Sequence, residues 1–196
     1  MPPKLQRCWN TDDPLRISYH DEEWGIPLHD DSKFFEFLVL GGFQAGLTWW
    51  LILQRRDAFR QAFDNFKPEV VAAYTSNDVE RLMKAPGIIR NKMKILAAIN
   101  NGRCFVKVQQ EFGSFDSFIW SFVGITIHNS FSRVDDLPTE TEESKRMSNS
   151  LRQRGFQFVG PTICYAFMQA TGMVNDHLIT CFRHEELKKR SSINCF

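Results

Sequence analysis

Cysteines and histidines lie near both ends of this 196-residue chain, and their positions limit the folds that it can adopt. His177 and Cys181 stand four residues apart, so one helical turn would present both side chains on the same face. Near the other end, Cys8 lies twelve residues before His20. If the fold brings its two ends together, the four side chains form a Cys2His2 set, which favours tetrahedral zinc in a closed, structural site. The alternative is a pair of buried thiols and two capping histidines.

Composition limits the classes of protein that this chain can belong to. Hydrophobic residues make up 43% of the sequence and aromatic residues 13%, enough to bury the core of one domain or of two closely joined lobes. The net charge of +1 gives the protein no strong overall positive potential that would attract nucleic acid. Five cysteines, an odd number, argue for thiols and metal ligation rather than for disulfides. No targeting segment is evident at the amino-terminal end, so we expect a cytoplasmic protein, and a monomer.

A charge-free run over residues 37–53 is the one candidate for a membrane span. It is shorter than the usual spanning length and contains three glycines. The run therefore predicts the end of one buried helix, a tight glycine-rich turn over 41–47, and the start of another helix. We expect no membrane association.

Helix signals and their capping residues run along most of the chain, whereas strand-like alternation is scarce. The helix from residue 48 is predicted to continue to about 63, and an apolar stripe predicts a long helix over 88–110. Residues 124–138 lack periodicity and are predicted to form a surface loop. An all-α fold is the consistent interpretation. Capping or proline residues predict further helix starts at Asp13, Asp31, Pro68, Ser76, Ser114 and, through a capping box with Glu142, at Thr139.

The segment from Gly155 to Thr162 joins a basic helix to an apolar one through a hairpin with a glycine at each end, Gly155 and Gly160. Backbone N–H groups around Gly160 and Thr162 would point outward from a helix N-terminus, where they favour a phosphate group. Arg152, Arg154 and the Thr162 hydroxyl could add contacts to neighbouring phosphates. The hairpin therefore predicts a sequence-independent contact with DNA, and the alternative is an ordinary corner between two helices.

Four of the five tryptophans fall within the first 50 residues, where they flank the glycine-rich turn. A base flipped out of a duplex needs flat walls, and a cationic alkylated purine is attracted to electron-rich rings. Leu47 could occupy the gap that such a base leaves in the DNA. The alternative is that these rings, including Tyr19 and Trp49, are packed in the core.

Eight ordered motifs along nearly the whole chain resemble the bacterial 3-methyladenine DNA glycosylase I family, a branch of the helix-hairpin-helix DNA glycosylases. The motifs are RCW at 7–9, DPL at 13–15, YHDEEWG at 19–25, QAGLTW at 44–49, GIIRNKMKI at 87–95, WSFV at 120–123, RGFQFVGPTICYAFMQATG at 154–172 and VNDH at 174–177.

The resemblance implies a base-excision repair enzyme that acts on duplex DNA. It would hydrolyse the N-glycosidic bond of alkylated bases, chiefly 3-methyladenine, and leave an abasic site without cutting the strand. The fold would be a single helix-hairpin-helix glycosylase domain over residues 1–196, whose two ends are joined at a structural zinc ion. The implied metal ligands are Cys8, His20, His177 and Cys181. The implied base pocket contains Trp9, Tyr19, Gly41, Gln44 and Trp49. The implied DNA contacts are Gly46, Leu47, Gly155, Gly160 and Thr162.

Gly41 is a departure from the family pattern that bears on function. The family has a glutamate at this position, whose carboxylate helps to bind the alkylated adenine, and Gln44 is a polar group that could compensate for its loss. Arg16 also stands where the family often has tyrosine, and Cys8 and Trp9 are adjacent rather than separated by one residue. Two further interpretations therefore stay open: a protein that binds damaged DNA without cutting it, and a glycosylase for a different small alkylated base.

Asp176 is a weak candidate for a catalytic residue, and the catalytic group is otherwise unknown. Other enzymes of the hairpin superfamily carry an aspartate after the hairpin helix, and Asp176 lies 16 residues past Gly160. The resemblance implies that this family works without that aspartate, because a purine alkylated at N3 is already a good leaving group. We therefore interpret Asp176 as a helix cap or as a support for the neighbouring His177. No lysine stands out as a Schiff-base nucleophile.

Overall fold

The computed structural model describes residues 5–193, and within them eleven α-helices account for most of the chain. Residues 1–4 and 194–196 of the predicted domain lie outside the described part. The helices are α1 Pro14–Glu22, α2 Asp31–Gln44, α3 Trp49–Leu53, α4 Arg56–Ala62, α5 Pro68–Ala72, α6 Ser76–Lys84, α7 Lys92–Phe112, α8 Phe115–Trp120, α9 Glu142–Gln153, α10 Pro161–Ala170 and α11 Phe182–Ile193. Short 3₁₀ turns cover Asp64–Phe66 and Val134–Asp136.

The fold is mostly helical, but one small parallel sheet departs from the all-α prediction. Strand β1 (Ile127–His128) pairs with β2 (Val174–Asn175), with Ile127 opposite Val174. Two residues are too few to produce a visible alternation, so β1 fell inside the segment predicted as a loop. The pairing ties the chain after α8 to the residues that lead into His177.

Several helices begin at the local caps that the sequence predicts. Asp13 accepts a 2.9 Å hydrogen bond from Leu15 N, and Ser114 accepts one of 3.0 Å from Ser117 N. The box predicted at Thr139 lies two residues later, because Ser144 rather than a glutamate makes the reciprocal bond with Thr141.

Two predicted helices have different limits. The long helix α7 begins at Lys92 rather than at 88, because the Asn91 side chain caps it by accepting from Lys94 N at 3.1 Å. The helix predicted over 48–63 is divided into α3 and α4, and the break allows buried Arg56 to reach Glu36.

The predicted turn over 41–47 was wrong at its start, because Gly41 and Gly42 lie inside α2. The turn itself spans 45–47. Both glycines allow close packing: a Cβ on Gly42 would lie 3.5 Å from Phe158 Cβ. Tertiary packing outweighs the weak helix propensity of glycine here.

Helix α2 is at the centre of the core and packs against α3, α7, α8 and α10. Its buried aromatic residues belong to one hydrophobic cluster that extends from Tyr19 to Val174. This packing turns the Gly41 face of α2 toward α10, where the two helices border a cavity. Within residues 5–193, no helix combines the length and apolar character that a bilayer span requires.

Candidate functional site

The four predicted ligands from the two ends of the chain come together. Their ligand atoms all lie within 4.8 Å of one another. His177 Nδ1 is 3.4 Å from Cys8 Sγ, and Cys181 Sγ is 3.5 Å from both His177 Nδ1 and His20 Nε2. A tetrahedral ion with sulfur at about 2.3 Å and nitrogen at about 2.0 Å would separate those atoms by roughly 3.5 Å. The cluster therefore has the dimensions of a tetrahedral metal site.

Both histidines present a lone pair to this cluster. His20 Nδ1 lies 2.7 Å from Asp21 Oδ1, and a carboxylate only accepts, so Nδ1 carries the hydrogen. His177 Nε2 likewise lies 3.0 Å from the Trp24 carbonyl oxygen. The opposite ring nitrogens therefore carry the lone pairs that could bind a metal, the arrangement found around ligating histidines, and the one on His20 accepts a 3.2 Å hydrogen bond from Cys8 N.

The His177–Cys181 pair does not lie on a helical turn, contrary to the prediction from its spacing. It occupies the connection between β2 and α11, where Cys181 N donates to Leu178 O at 2.7 Å. Gly25 makes room for this connection, because a Cβ there would lie 3.1 Å from the His177 ring.

The two sulfur atoms differ in their setting: hydrogen bonding with Cys181 and burial raise the pKa of the Cys8 thiol, so Cys181 is the one of the pair that favours the thiolate form. Hydrogen bonding with Cys8, followed by contacts with His177 and His20, lowers the pKa of the Cys181 thiol. Leu178 N donates to Cys8 Sγ at 3.3 Å. A thiolate is the form of cysteine that binds metal.

A cavity of about 230 Å³ lies next to the cysteine–histidine cluster, between α1, α2, α3 and α10. Trp9 and Tyr19 are stacked in one wall, with centroids 6.2 Å apart and an interplanar angle of 10°. Trp49 lies 5.7 Å from Tyr19 in the next part of the wall. No charged side chain occurs among the described residues of the lining, which are Trp9, Tyr19, Trp24, Phe37, Gly41, Gln44, Trp49, Leu137, Ile163, Ala166, Phe167, Gln169 and Ala170. All five residues predicted for the base pocket are among them.

Polar atoms in this wall are few. Burial raises the pKa of Tyr19, so its hydroxyl remains a proton donor. The buried Trp49 Nε1 has no hydrogen-bond partner among the described residues. Gly41 contributes no side chain, and an added Cβ would meet only Ile163 Cγ2, at 3.4 Å. The cavity therefore offers aromatic faces and a small number of donors, with open space at position 41.

Asp176 is buried behind the cavity rather than in its lining. Its carboxylate accepts hydrogen bonds from Tyr165 Oη at 2.6 Å, Asn129 Nδ2 at 2.7 Å and Gln169 Nε2 at 2.8 Å. It caps no helix, contrary to one of our interpretations, because α10 ends before it and α11 begins well after it.

Gln169 is a lining residue that sequence reasoning missed. The only signal was a polar residue near the end of an otherwise apolar helix, and its partner Asp176 lies seven residues away, beyond the end of that helix.

The residues predicted to contact DNA lie on a turn and a hairpin. Gly46 has φ +76° and no atom within 4 Å of its Cβ position, and the neighbouring Leu47 is 39% exposed. In the hairpin, Gly155 has φ +88°, and Gly160 is the N-cap of the ten-residue helix α10. Thr162 is exposed in the first turn of α10, where its backbone N–H has no partner within residues 5–193.

The two arginines predicted to assist the hairpin behave differently. Arg152 Nη2 would lie 3.4 Å from a Cβ on Gly160, beside the start of α10. Arg154 instead pairs with Glu111 at 2.5 Å and covers the rings of Phe112 and Phe118. The Arg154 guanidinium is therefore already paired within the protein, and the structure does not support its predicted contact with a phosphate.

Side chains on two neighbouring helices hold the hairpin in place. Asn101 donates to Gln157 O at 2.9 Å and accepts from Gln157 N at 2.8 Å. Ser148 donates to Val159 O at 2.6 Å. These bonds occupy the inward-facing groups of the hairpin and fix its position relative to the cavity.

Known proteins are similar to this chain over nearly its whole length. A sequence profile described as Methyladenine glycosylase matches residues 9–184. DNA-3-methyladenine glycosylase 1 of Escherichia coli (strain K12) is 46% identical over 179 residues, which cover 90% of this chain and 96% of that protein. A crystal structure of 3-methyladenine DNA glycosylase I superposes with a TM-score of 0.87 at 47% identity, over 90% of this chain and 98% of the other.

A variant of 3-methyladenine DNA glycosylase I solved in complex with 3-methyladenine superposes with a TM-score of 0.85 at 36% identity, over 88% of this chain and 93% of the other. Sequence and fold thus agree with this family over most of the chain. The resemblance seen in the eight motifs is confirmed, and the chain belongs to the methyladenine glycosylase family.

Proposed function

We propose that this chain is a base-excision repair glycosylase that hydrolyses the N-glycosidic bond of alkylated bases in duplex DNA, chiefly 3-methyladenine. The observation that carries the proposal is the aromatic cavity lined by Tyr19 and Trp49, whose described lining contains no charged side chain. Its relatives are named for action on 3-methyladenine, and one related structure was solved with that base.

The chemistry of the leaving base fits such a cavity. Methylation at N3 places a positive charge on adenine, so the base can depart without being protonated by the enzyme. Indole and phenol faces attract a cation, and they do so more strongly where water is excluded. The rings of Trp9, Tyr19 and Trp49 would hold the flipped base, and the Tyr19 hydroxyl would donate a hydrogen bond to it.

The cavity residues supply binding and orientation rather than a conventional acid or base. The Asp176 carboxylate is occupied by three donors and is not among the cavity-lining residues, so we assign it no direct part in activating water. No lysine is among the described residues of the lining. We therefore expect a monofunctional hydrolase that leaves the DNA strand intact.

We propose that the segment from α9 through the hairpin to α10 is the helix-hairpin-helix element that binds the DNA backbone. The free N–H of Thr162, the dipole of α10 and the nearby Arg152 favour a phosphate. Leu47, on the turn after α2, would enter the duplex where the base has left. Gly46 gives that turn its positive φ, and Gly155 does the same for the hairpin.

We propose that the four-residue cluster binds zinc in a structural site. Two sulfur and two imidazole donors at tetrahedral spacing, with both distal ring nitrogens already bonded, suit this ion. The ion would fasten the start of the chain to the connection before α11 and would take no part in the reaction. A cytoplasmic location and a monomeric state stay predictions.

The open position at Gly41 is the observation that keeps two other functions in view. A binding protein without activity, or a glycosylase for another small alkylated base, would both tolerate the loss of a carboxylate there. The test is to incubate the purified protein with methylated duplex DNA and to identify the released bases by chromatography. We expect free 3-methyladenine. Retention of the DNA without any released base would favour the binding protein, and release of another base alone would favour a different specificity.

A further inference from the structure

Gln169 is a polar side chain of the cavity whose orientation is fixed by the protein itself. It lines the cavity together with Tyr19 and Gly41. Its Nε2 atom donates a 2.8 Å hydrogen bond to Asp176 Oδ2. A carboxylate offers only acceptors, so the group that faces Asp176 is the NH2 and not the carbonyl oxygen. The Oε1 atom of Gln169 is therefore the end of the amide that is left for a ligand.

The carboxylate that orients this amide is itself immobilised. Asp176 is 1% exposed, and it accepts from Tyr165 Oη and Asn129 Nδ2 in addition to Gln169. Burial, followed by the bond to Asp176, raises the pKa of Tyr165, so the phenol stays a donor. Three donors on one buried carboxylate leave it little freedom to rotate.

The other glutamine of the cavity lacks such support. Gln44 ends α2 and lines the same cavity, but its side chain forms no hydrogen bond with any of the described residues. If the Gln44 side chain bonded to a ligand, it would lose conformational entropy at that moment. The Gln169 side chain has already lost this entropy on folding, because it is bonded to Asp176. Gln169 is therefore the better organised acceptor of the two.

The space in front of this wall is open because of Gly41. A Cβ at that position would point toward Ile163, which is on the same helix as Gln169. Without a side chain at position 41, a base can lie against the α10 wall. An acceptor on α10 can then take over recognition that a carboxylate on α2 would otherwise provide.

We infer that Gln169 Oε1 accepts a hydrogen bond from the exocyclic amino group of the alkylated purine, and that Asp176 is the residue that positions it. The inference rests on the proposed function and names the substrate class. Adenine carries an amino donor at C6, whereas guanine carries a carbonyl acceptor there. An acceptor facing C6 attracts the first and repels the second, so the cavity selects 3-methyladenine over 3-methylguanine.

The test compares the release of two bases from one DNA sample. Duplex DNA treated with a methylating agent contains both 3-methyladenine and 3-methylguanine, and chromatography measures their initial rates of release. Gln169→Leu should lower the ratio of adenine to guanine product about tenfold, the loss expected for one discriminating hydrogen bond. Gln44→Leu tests the other glutamine of the cavity as the rival acceptor, and it should change the ratio less than about twofold. Partial unfolding of a variant lowers both rates equally and leaves the ratio unchanged.

A second variant tests the positioning role. Asp176→Asn supplies an NH2 group that can bond to Gln169 Oε1 and turn the amide around. The ratio should fall in this variant too, while bound zinc stays at the wild-type level. An unchanged ratio in Gln169→Leu, or a fall in Gln44→Leu instead, would overturn the assignment of the acceptor. An unchanged ratio in Asp176→Asn would overturn the positioning role. A wild-type protein that releases neither base would overturn the proposed function itself.

Discussion

Asp21 Oδ1 lies 2.7 Å from Nδ1 of His20, whose Nε2 faces the cysteines. This contact fixes the tautomer of the ring and makes Nε2, the nitrogen proposed to bind zinc, more basic. Arg7 holds the carboxylate in place with a 2.7 Å bond. We predict that Asp21→Asn weakens zinc binding about 10- to 100-fold, as expected for the partner of a ligating histidine. Competition with a chromogenic chelator measures the affinity.

A second histidine–aspartate pair provides the control for this variant. His29 Nδ1 lies 2.9 Å from Asp116 Oδ1, but it is exposed and lies outside the metal cluster. Asp116→Asn should leave zinc affinity unchanged. Equal affinities for the Asp21→Asn variant and the wild-type protein would show that the carboxylate does not support the metal.

Lys94 connects the start of α7 to the turn that carries Leu47. Its Nζ donates to the carbonyl oxygens of Phe43 at 2.8 Å and Ala45 at 2.6 Å, at the end of α2. We predict that Lys94→Met loosens the turn and lowers kcat/KM for base release from duplex DNA about tenfold. Affinity for the free base should change little, because the cavity is intact. Lys92→Met, at an exposed position two residues earlier, should have neither effect.

Capping residues in the sequence predicted the helix ends that depend on neighbouring residues. They did not predict helix ends that are set by packing against distant parts of the chain. Asp13 and Ser114 cap helices through their own next three residues, so the sequence predicts those starts. Gly41 reads as part of a turn, yet it is helical because α2 is buried among other helices. The four cysteine and histidine side chains of the cluster were predictable as a set, but their approach depends on β2 and Gly25, which spacing alone does not reveal.

Gly172 marks a close approach between two backbone segments just before β2. It has φ +70°, and an added Cβ would lie 2.2 Å from the backbone carbon of Ile26. Gly113 has a similar φ of +84° but open space around it. Gly113→Ala should therefore cost only the strain of a left-handed residue, about 1–2 kcal/mol. Gly172→Ala should cost at least about 3 kcal/mol, because the backbone must also move. Urea denaturation measures both, and equal losses would contradict this account of Gly172.

Restoring a carboxylate at position 41 should strengthen recognition of a cationic base. The backbone of Gly41 is helical, and its Cβ position has room, so Gly41→Glu requires no rearrangement of α2. We predict that this variant releases 3-methyladenine about tenfold faster at low substrate concentration, as expected for a charge-assisted hydrogen bond. Gly41→Gln has the same shape without the charge and serves as the control. An equal gain in both variants would attribute the effect to packing.

The sequence predicts some residues of the cavity and misses others. Trp9, Tyr19 and Trp49 were candidates because aromatic residues cluster in the first 50 positions. Gln169 was not a candidate, because its orientation depends on Asp176, which the fold places behind α10. A hydrogen bond between side chains that only the fold brings together leaves no repeating pattern in the sequence.

The most direct measurement uses a duplex that contains one 3-methyladenine and a label at one 5′ end. Wild-type protein is added in excess, and the free base and the labelled strand are measured over time. We predict that free 3-methyladenine appears, and that the strand stays intact until alkali breaks it at the abasic site. A protein that holds this duplex while no base is released would contradict the account.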